Sequence, residues 1–353
     1  MTQGRSGSSV ASPAPGWWGP ALAGTLLVAL AAGGLWMAPR SGVERGASAQ
    51  RPTPAQTTLV TAARNAASLP AADAVVPAPV VAAAPVAAEP SGPRACALFL
   101  QRLPSVSRTQ CEEALLTPSG SVSAHGVPLF WRDVPAPVVR GAADAPLRVL
   151  IAGAIHGDEL TAAALALRWI AFAEQTERPV HWRFIPVLNP DGLLAKPATR
   201  TNGRGVDLNR NFPTPGWEKD APLYWDKRTK RDPRRFPGKS PLSEPESQFL
   251  HAQMAAFRPH LIVSIHAPYG VLDFDGPLSP PERLGRLWLD QVGIFPGSLG
   301  NYGGVHRGMP VVTIELPHAL NMPADSEVRS MWRDLLRWMG EHWPEALGTE
   351  PRP

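Results

Sequence analysis

Two short apolar runs end in residues that can bind a metal ion. Val149 to Ile155 leads into His156-Gly-Asp-Glu159, and Leu261 to Ile265 leads into His266 of Ser264-Ile-His266. Two imidazoles and one carboxylate are the ligand set of a catalytic zinc that keeps one position for water. A third run, Val311 to Ile314, ends in Glu315, a carboxylate able to move a proton once a metal has activated the water. A metal site, a nucleophile and a base are therefore all within reach. Each part also has a plainer reading. His-x-x-Glu at the start of a helix arises by accident, with Asp158 and Glu159 opposing the helix dipole. His266 alone would more often be a structural histidine.

These residues need elements to position them. Arg148 to Ile155 predicts a strand, Glu159 to Glu174 a helix and His181 to Leu188 a strand. Ser243 with Glu246 three residues later is a capping-box pattern, with Pro245 tolerated in the first turn of the helix it opens. Pro259 to Ile265 predicts a strand, Pro281 to Val292 a helix and Pro310 to Leu316 a strand. Ser326 to Gly340 predicts a closing helix with Trp332, Leu335, Leu336 and Met339 on one face. Such alternation predicts an α/β three-layer sandwich around a mixed, largely parallel sheet. Ligands in these sheets lie beyond the carboxyl ends of strands, which is where His156, His266 and Glu315 fall.

Composition divides the 353 residues into three expected parts. Residues 1–40 hold Ala21 to Ala38, eighteen residues without charge and apolar apart from Thr25, at the lower limit for a membrane span. A retained anchor, a cleaved signal peptide and a misassigned start all fit. Arg5 precedes this stretch while Arg40, Arg45 and Arg51 follow it, which by itself does not favour export of the C-terminal part. Residues 41–93 are dominated by Ala, Pro and Val, without an aromatic, and read as an extended linker. Residues 94–353 are the expected folded domain, with a motif-bearing core at 146–342. The linker and the two cysteines, Cys96 and Cys111, favour export to the periplasm or cell envelope, tethered by an anchor or released by a signal peptide. In that compartment a single disulfide is the simpler reading of the pair, with two buried thiols as the alternative.

Net charge is +4 with a pI near 9.4. The local cluster Lys227-Arg228-Thr229-Lys230-Arg231 with Arg234-Arg235 has no nucleic-acid motif around it. It reads as a solvated loop, or as a cleft edge that attracts an anionic substrate. No nucleic-acid partner is expected, and the sequence leaves the oligomeric state open.

Asn189-Pro-Asp-Gly192 is turn chemistry. It is followed by Arg200-Thr-Asn-Gly-Arg-Gly-Val-Asp-Leu-Asn-Arg-Asn-Phe-Pro213. Arginines bind carboxylates bidentately and can stabilise a developing oxyanion. Taken together and in order, six motifs carry a resemblance: His-x-x-Glu, Asn-Pro-Asp-Gly, Gly-Val-Asp-Leu-Asn-Arg-Asn-Phe, Ser-Glu-Pro-Glu, Ser-Ile-His and Thr-Ile-Glu-Leu. The chain resembles the zinc metallocarboxypeptidase family, carboxypeptidase A-like, over roughly residues 146 to 318. The resemblance implies one zinc per chain held by His156, Glu159 and His266. It implies that Asp207 orients a ligand histidine, that Arg200 polarises the scissile carbonyl and that Glu315 is the general base. Asn209 and Arg210 match the pair that grips a substrate's terminal carboxylate. The family's substrate-capping tyrosine has no clean counterpart: Tyr302 is nearest, and Tyr269 follows the third ligand too closely. Gly297-Ser-Leu-Gly-Asn-Tyr302 and Ser243-Glu-Pro-Glu246 look like the bacterial murein peptide amidase branch, whose members cut the γ-D-glutamyl bond to diaminopimelate. The implied substrate is a peptide with a free carboxylate, a murein stem peptide. Two other readings are a zinc deacylase of N-acyl amino acids, akin to succinylglutamate desuccinylase and aspartoacylase, and a catalytically silent tethered module that binds cell-wall peptide.

Overall fold

A computed structural model describes residues 92–137 and 146–347. The expected anchor and nearly all of the expected linker lie outside these residues. Among the described residues no helix is long and apolar enough to cross a membrane. Gly92 and Pro93, assigned to the linker by composition, instead open the first helix, α1 (Gly92–Phe99). A disulfide joins Cys96 to Cys111 of α2 (Arg108–Glu113), with Cα atoms 5.7 Å apart.

Seven strands form one sheet. In chain order they are β1 (Thr117–Val122), β2 (Pro128–Val134), β3 (Leu147–Ala152), β4 (Val180–Ile185), β5 (Leu261–His266), β6 (Val271–Asp275) and, after a separate small hairpin, β9 (Val311–Glu315). Their spatial order is β1-β2-β4-β3-β5-β9-β6. The central ladders β4·β3, β3·β5 and β5·β9 are parallel, and the outer ones are antiparallel. The parallel centre explains the continuous apolar runs, because such strands are covered on both faces. All six residues of β5 are buried.

Alternate residues of the strands feed two separate cores, so the molecule has three layers. Val149 and Ile151 face a core shared with α3 (Leu160–Glu174) and α7 (Asp325–His342). Leu150 and Ala152 face a second core with Phe249, Leu250 and Met254 of α6 (Pro245–Phe257). In the first core Trp332 lies 5.2 Å from Trp169 and 4.8 Å from Trp182, ring centre to ring centre. Each such large side chain contributes roughly 1.5–3 kcal/mol when fully buried.

Two expectations are corrected. Residues 281–292 form no helix but a hairpin of β7 (Arg283–Leu284) and β8 (Leu287–Trp288). Leu284 and Leu287 have helical spacing, yet Gly285 turns with φ +60°. Asp334 and Glu327 of α7 accept the backbone N–H groups of Gly285 and Arg286. Tertiary acceptors thus take the donors that a helix would have used. The capping box of α6 is likewise absent: Glu244 is the N-cap, and no side chain caps it. Glu246 is fully buried and accepts from the Ala124 N–H at 2.9 Å and from Asn202 Nδ2 at 3.0 Å. It ties the β1–β2 turn to the loop that carries the arginines.

Candidate active site

His156 and Glu159 lie beyond the end of β3. The chain reaches them through Ala154, a non-glycine residue at φ +45°, a conformation that costs of order 1–3 kcal/mol. Asn189 anchors this bend: its N–H donates to Ala154 O at 3.0 Å. Asn189 Oδ1 also caps α4 (Pro190–Leu194) through Gly192 N–H at 2.9 Å, and its Nδ2 donates to Arg200 O at 3.0 Å. The Asn-Pro-Asp-Gly turn therefore holds the first ligand segment against the arginine loop. His266 ends β5, and its rung partner on β9 is Glu315.

The three residues of the predicted ligand set converge. His156 Nδ1 lies 2.7 Å from Glu159 Oε1, His266 Nδ1 lies 3.1 Å from Glu159 Oε2, and the two Nδ1 atoms are 3.2 Å apart. Each ring has its other nitrogen engaged, His156 Nε2 with Asp207 Oδ1 at 3.0 Å and His266 Nε2 with Ser264 Oγ at 2.9 Å. With the His156 Nε2 proton directed at Asp207, Nδ1 presents a lone pair to the shared point. A buried carboxylate that faces two imidazoles is balanced by positive charge, either protons on the rings or a metal ion held among them. Donors bound tetrahedrally at about 2.1 Å lie roughly 3.4 Å apart. The observed separations are slightly tighter than that, so the group fits zinc. Burial raises the Glu159 carboxyl, but the charges of His156 and His266 outweigh it and keep the group ionised.

Asp207 is fully buried and bridges two functions. Its Oδ1 accepts from His156 and from Asn209 N–H, and its Oδ2 accepts from Arg200 Nε at 3.1 Å. Burial again opposes ionisation, and Arg200 and His156 overcome it, holding this carboxyl well below the usual range. Arg200 is thereby braced beside the metal group, with Nη1 3.5 Å from Glu159 Oε1. Asn209 accepts from Leu299 N–H at 2.8 Å. Arg210 is 5% exposed, donates to Asn209 O at 2.6 Å and stacks its guanidinium 4.5 Å over the Phe295 ring. Its Nε has no partner. Gly297 permits this packing: its φ is +74°, and a Cβ there would overlap the Arg210 carbonyl.

His156, Arg200, Asn209, Arg210, His266 and Glu315 all line one cavity of about 570 Å³. Glu315 is 7% exposed, and its Oε2 meets no partner. Burial pushes its pKa up; His266 opposes this, while Glu159 adds to it. Tyr302 does not join these residues. It stacks on Phe212 at 6.0 Å in the second core, 7% exposed, because its segment Gly300–His306 is a helical turn laid against the sheet. The tyrosines on the cavity wall are Tyr224 of α5 (Trp217–Lys227) and Tyr269, which is 59% exposed. Arg228 and Arg235 of the basic cluster line the cavity too, so that part of the cluster is a cleft edge. Arg231 and Arg234 are instead paired with Asp226 and Asp158. Sequence reasoning missed Asp273, Asp275 and Thr313 on the same wall. The alternation of Val271-Leu-Asp-Phe-Asp275 was the one signal for the first two.

A family model described as zinc carboxypeptidase matches residues 140–273. Murein peptide amidase A of Escherichia coli strain K12 is 30% identical over 246 residues, 66% of this chain and 96% of that protein. The chain belongs to the zinc carboxypeptidase family. Murein peptide amidase A of Vibrio campbellii is 33% identical over 223 residues, 60% of this chain and 84% of that one. The crystal structure of carboxypeptidase A from Helicoverpa armigera matches with a TM-score of 0.51 at 16% identity, over 72% of this chain and 79% of that one. At that identity the likeness is one of fold. As a zinc carboxypeptidase family member the chain is a zinc metallopeptidase with an α/β fold. The matched span contains the ligand group and the arginine loop, and Glu315 follows it on β9.

Proposed function

We propose that this metallopeptidase releases the terminal free-acid residue of a murein stem peptide, by cutting the γ-D-glutamyl amide bond to diaminopimelate. The carrying observation is one cavity lined by His156 and His266 of the ligand group together with Glu315, whose Oε2 is unpartnered, and Arg210, whose Nε is unpartnered. The two murein peptide amidase relatives support the substrate class. Ligand group and Glu315 are both in place, which weighs against a silent binding module.

His156, Glu159 and His266 would hold the zinc. When bound, zinc supplies Lewis acidity, which acidifies water and polarises a carbonyl. Glu315 takes the proton of the attacking water and hands it to the leaving amine. Arg200, fixed by Asp207, stabilises the oxyanion that develops on the scissile carbonyl. Arg210, oriented beside Asn209, takes the leaving residue's carboxylate. The Cys96–Cys111 disulfide supports the reading of export, because such bonds persist in oxidising compartments. In this reading the apolar stretch Ala21–Ala38 is either a retained anchor, with the Ala/Pro-rich linker as its spacer, or a signal peptide that is removed on export.

Purified protein incubated with the murein tripeptide should release diaminopimelate, identified by mass. Products from N-acyl amino acids alone would replace this reading with that of a deacylase. A second expectation concerns Asp207, which orients His156 from outside the ligand group. Asp207→Asn should weaken zinc binding about 10- to 100-fold in a chelator competition. Unchanged affinity would limit Asp207 to bracing Arg200.

A further inference from the structure

The basic cluster of residues 227–235 divides in two. Lys227 and Arg231 pair with Asp226, and Arg234 pairs with Asp158. Arg228 and Arg235 line the cavity instead. Arg228 ends α5 four residues after Tyr224, which also lines the cavity, so both project from one face of the helix. The chain then reverses through two consecutive left-handed residues, Lys230 at φ +54° and Arg231 at φ +58°. Neither is a glycine, and such backbone persists only where the surroundings fix it. Trp225 does so: its carbonyl accepts from the Arg231 N–H and the Thr229 hydroxyl, and its Nε1 donates to Asp232 O at 2.8 Å. The reversal brings Arg235 back to the cavity wall that carries Arg228.

Neither inward arginine has a full ionic partner. Among the described residues the Arg228 side chain meets no carboxylate. Arg235 Nε stands 3.8 Å from Asp232 Oδ2, beyond hydrogen-bond reach, and Asp232 Oδ1 is taken by the Arg234 N–H. The other carboxylates of the wall, Asp273, Asp275 and Glu315, stand on β6 and β9 and form no ion pair with either arginine. Phe236 O accepts from the Asp207 N–H at 2.8 Å, and Arg234 pairs with Asp158. These bonds place the Arg235 backbone between the first ligand segment and the arginine loop, at the metal end of the cavity. Its charge is felt deeper in: burial lowers the Arg210 pKa, Asp207 opposes this, and the charges of Arg200 and Arg235 add to the lowering. Arg200 has Asp207 as its counter-ion, and Arg210 is assigned the leaving residue's carboxylate. Two guanidinium groups are left without an anion.

A γ-linked glutamyl residue always carries a free carboxylate. Its γ-carbonyl is the scissile group, so its α-carboxylate lies four bonds, roughly 5 Å, from the reacting carbon. We propose that Arg228 and Arg235 form a second anion subsite, which binds this α-carboxylate on the acyl side of the bond. This rests on the reading that the enzyme cuts γ-D-glutamyl amides, and it names the residues that read the charge of the glutamyl residue. The leaving residue's carboxylate goes to Arg210, the glutamyl α-carboxylate goes to Arg228 and Arg235, and the carbonyl between them faces Arg200 and the ligand group.

The test compares the tripeptide L-alanyl-γ-D-glutamyl-diaminopimelate with its analogue in which the glutamyl α-carboxylate is a carboxamide. Wild-type enzyme should prefer the acid by roughly tenfold or more in kcat/KM. Arg228→Gln combined with Arg235→Gln should bring the ratio to within about twofold of one, mainly by raising KM for the acid. Arg235→Lys, which keeps the charge, should retain part of the preference. Calorimetry of the acyl product gives a readout without turnover: wild-type protein should bind L-alanyl-D-glutamate more tightly than L-alanyl-D-isoglutamine, and the double variant should not tell them apart. If Arg228 only opposes the dipole at the end of α5 and Arg235 only braces Asp232, the variants would lower the melting temperature with the ratio intact, and the subsite is overturned. Equal wild-type cleavage of acid and carboxamide overturns it too. So does a double variant that keeps this ratio and instead erases a preference for diaminopimelate over lysine as the leaving residue, which would give both arginines to the leaving residue's second carboxylate. The underlying reading fails separately: it falls if neither tripeptide releases diaminopimelate, and it survives if both do so at equal rates.

Discussion

Glu315→Gln should lower kcat by roughly a hundredfold or more and leave zinc in place, on the scale of general-base effects. The side chain keeps its size, so the packing at the end of β9 is unchanged. What is lost is the ability to accept a proton. Glu315 shares a rung with His266, whose Nδ1 belongs to the ligand group, so it stands beside that group without being part of it. Its buried Oε2 has no hydrogen-bond partner. An isolated buried acceptor is costly to keep unless function uses it. Steady-state kinetics on a murein tripeptide, with metal content measured on the same preparation, checks both halves. Activity within about threefold of wild type would pass the proton to another carboxylate in the cavity, with Asp273 the next in register along the sheet.

The parts of this site that were legible in the sequence share a physical cause. β3, β5 and β9 lie in the parallel centre of the sheet, so each is largely apolar, broken only by Arg148, Ser264 and Thr313, and the ionisable residues that follow each run are those at the carboxyl edge. His156, His266 and Glu315 announce themselves in that way. Arg200, Asp207 and Arg210 were legible only as a set, because no periodicity marks a loop. β6 was not legible as a strand. It is an edge strand of five residues with two acids, and only its pairing with β9 shows that those acids face the cavity. The hairpin β1–β2 was missed for a related reason: its Pro, Gly and Ser content reads as loop, and the docking of its turn on Asp191 and Glu246 is a tertiary fact. α5 carries Pro222 internally, which hid a helix that brings Tyr224 to the cavity wall. Tyr302 was the reverse error. Its place in the chain fitted a capping role, but its ring fills the core beside Phe212.

A peptide that ends in a free carboxylate should be cut far faster than the same peptide ending in a carboxamide, by about thirtyfold to several thousandfold. Arg210 is the reason. Its guanidinium is buried and oriented by Asn209 O and the Phe295 ring, with Nε left over. Burial lowers its pKa, and Asp207 opposes that shift, so a further anion at this point is favourable. A carboxylate can accept two charge-assisted hydrogen bonds from such a fork, and a carboxamide cannot replace them. Loss of a desolvated charge pair costs roughly 2–5 kcal/mol, which at 1.4 kcal/mol per tenfold gives the stated range. The competing account is that Arg210 only braces its loop through Asn209 and Phe295. The two accounts separate in Arg210→Ala. A bracing role predicts a lower melting temperature with the acid-to-amide ratio intact. A carboxylate-binding role predicts that the ratio collapses towards one, mainly through slower cleavage of the acid. Equal cleavage of acid and amide by the wild-type enzyme would show that the bond is chosen without reference to the chain end, and the enzyme would then be an endopeptidase or a deacylase built on the same fold.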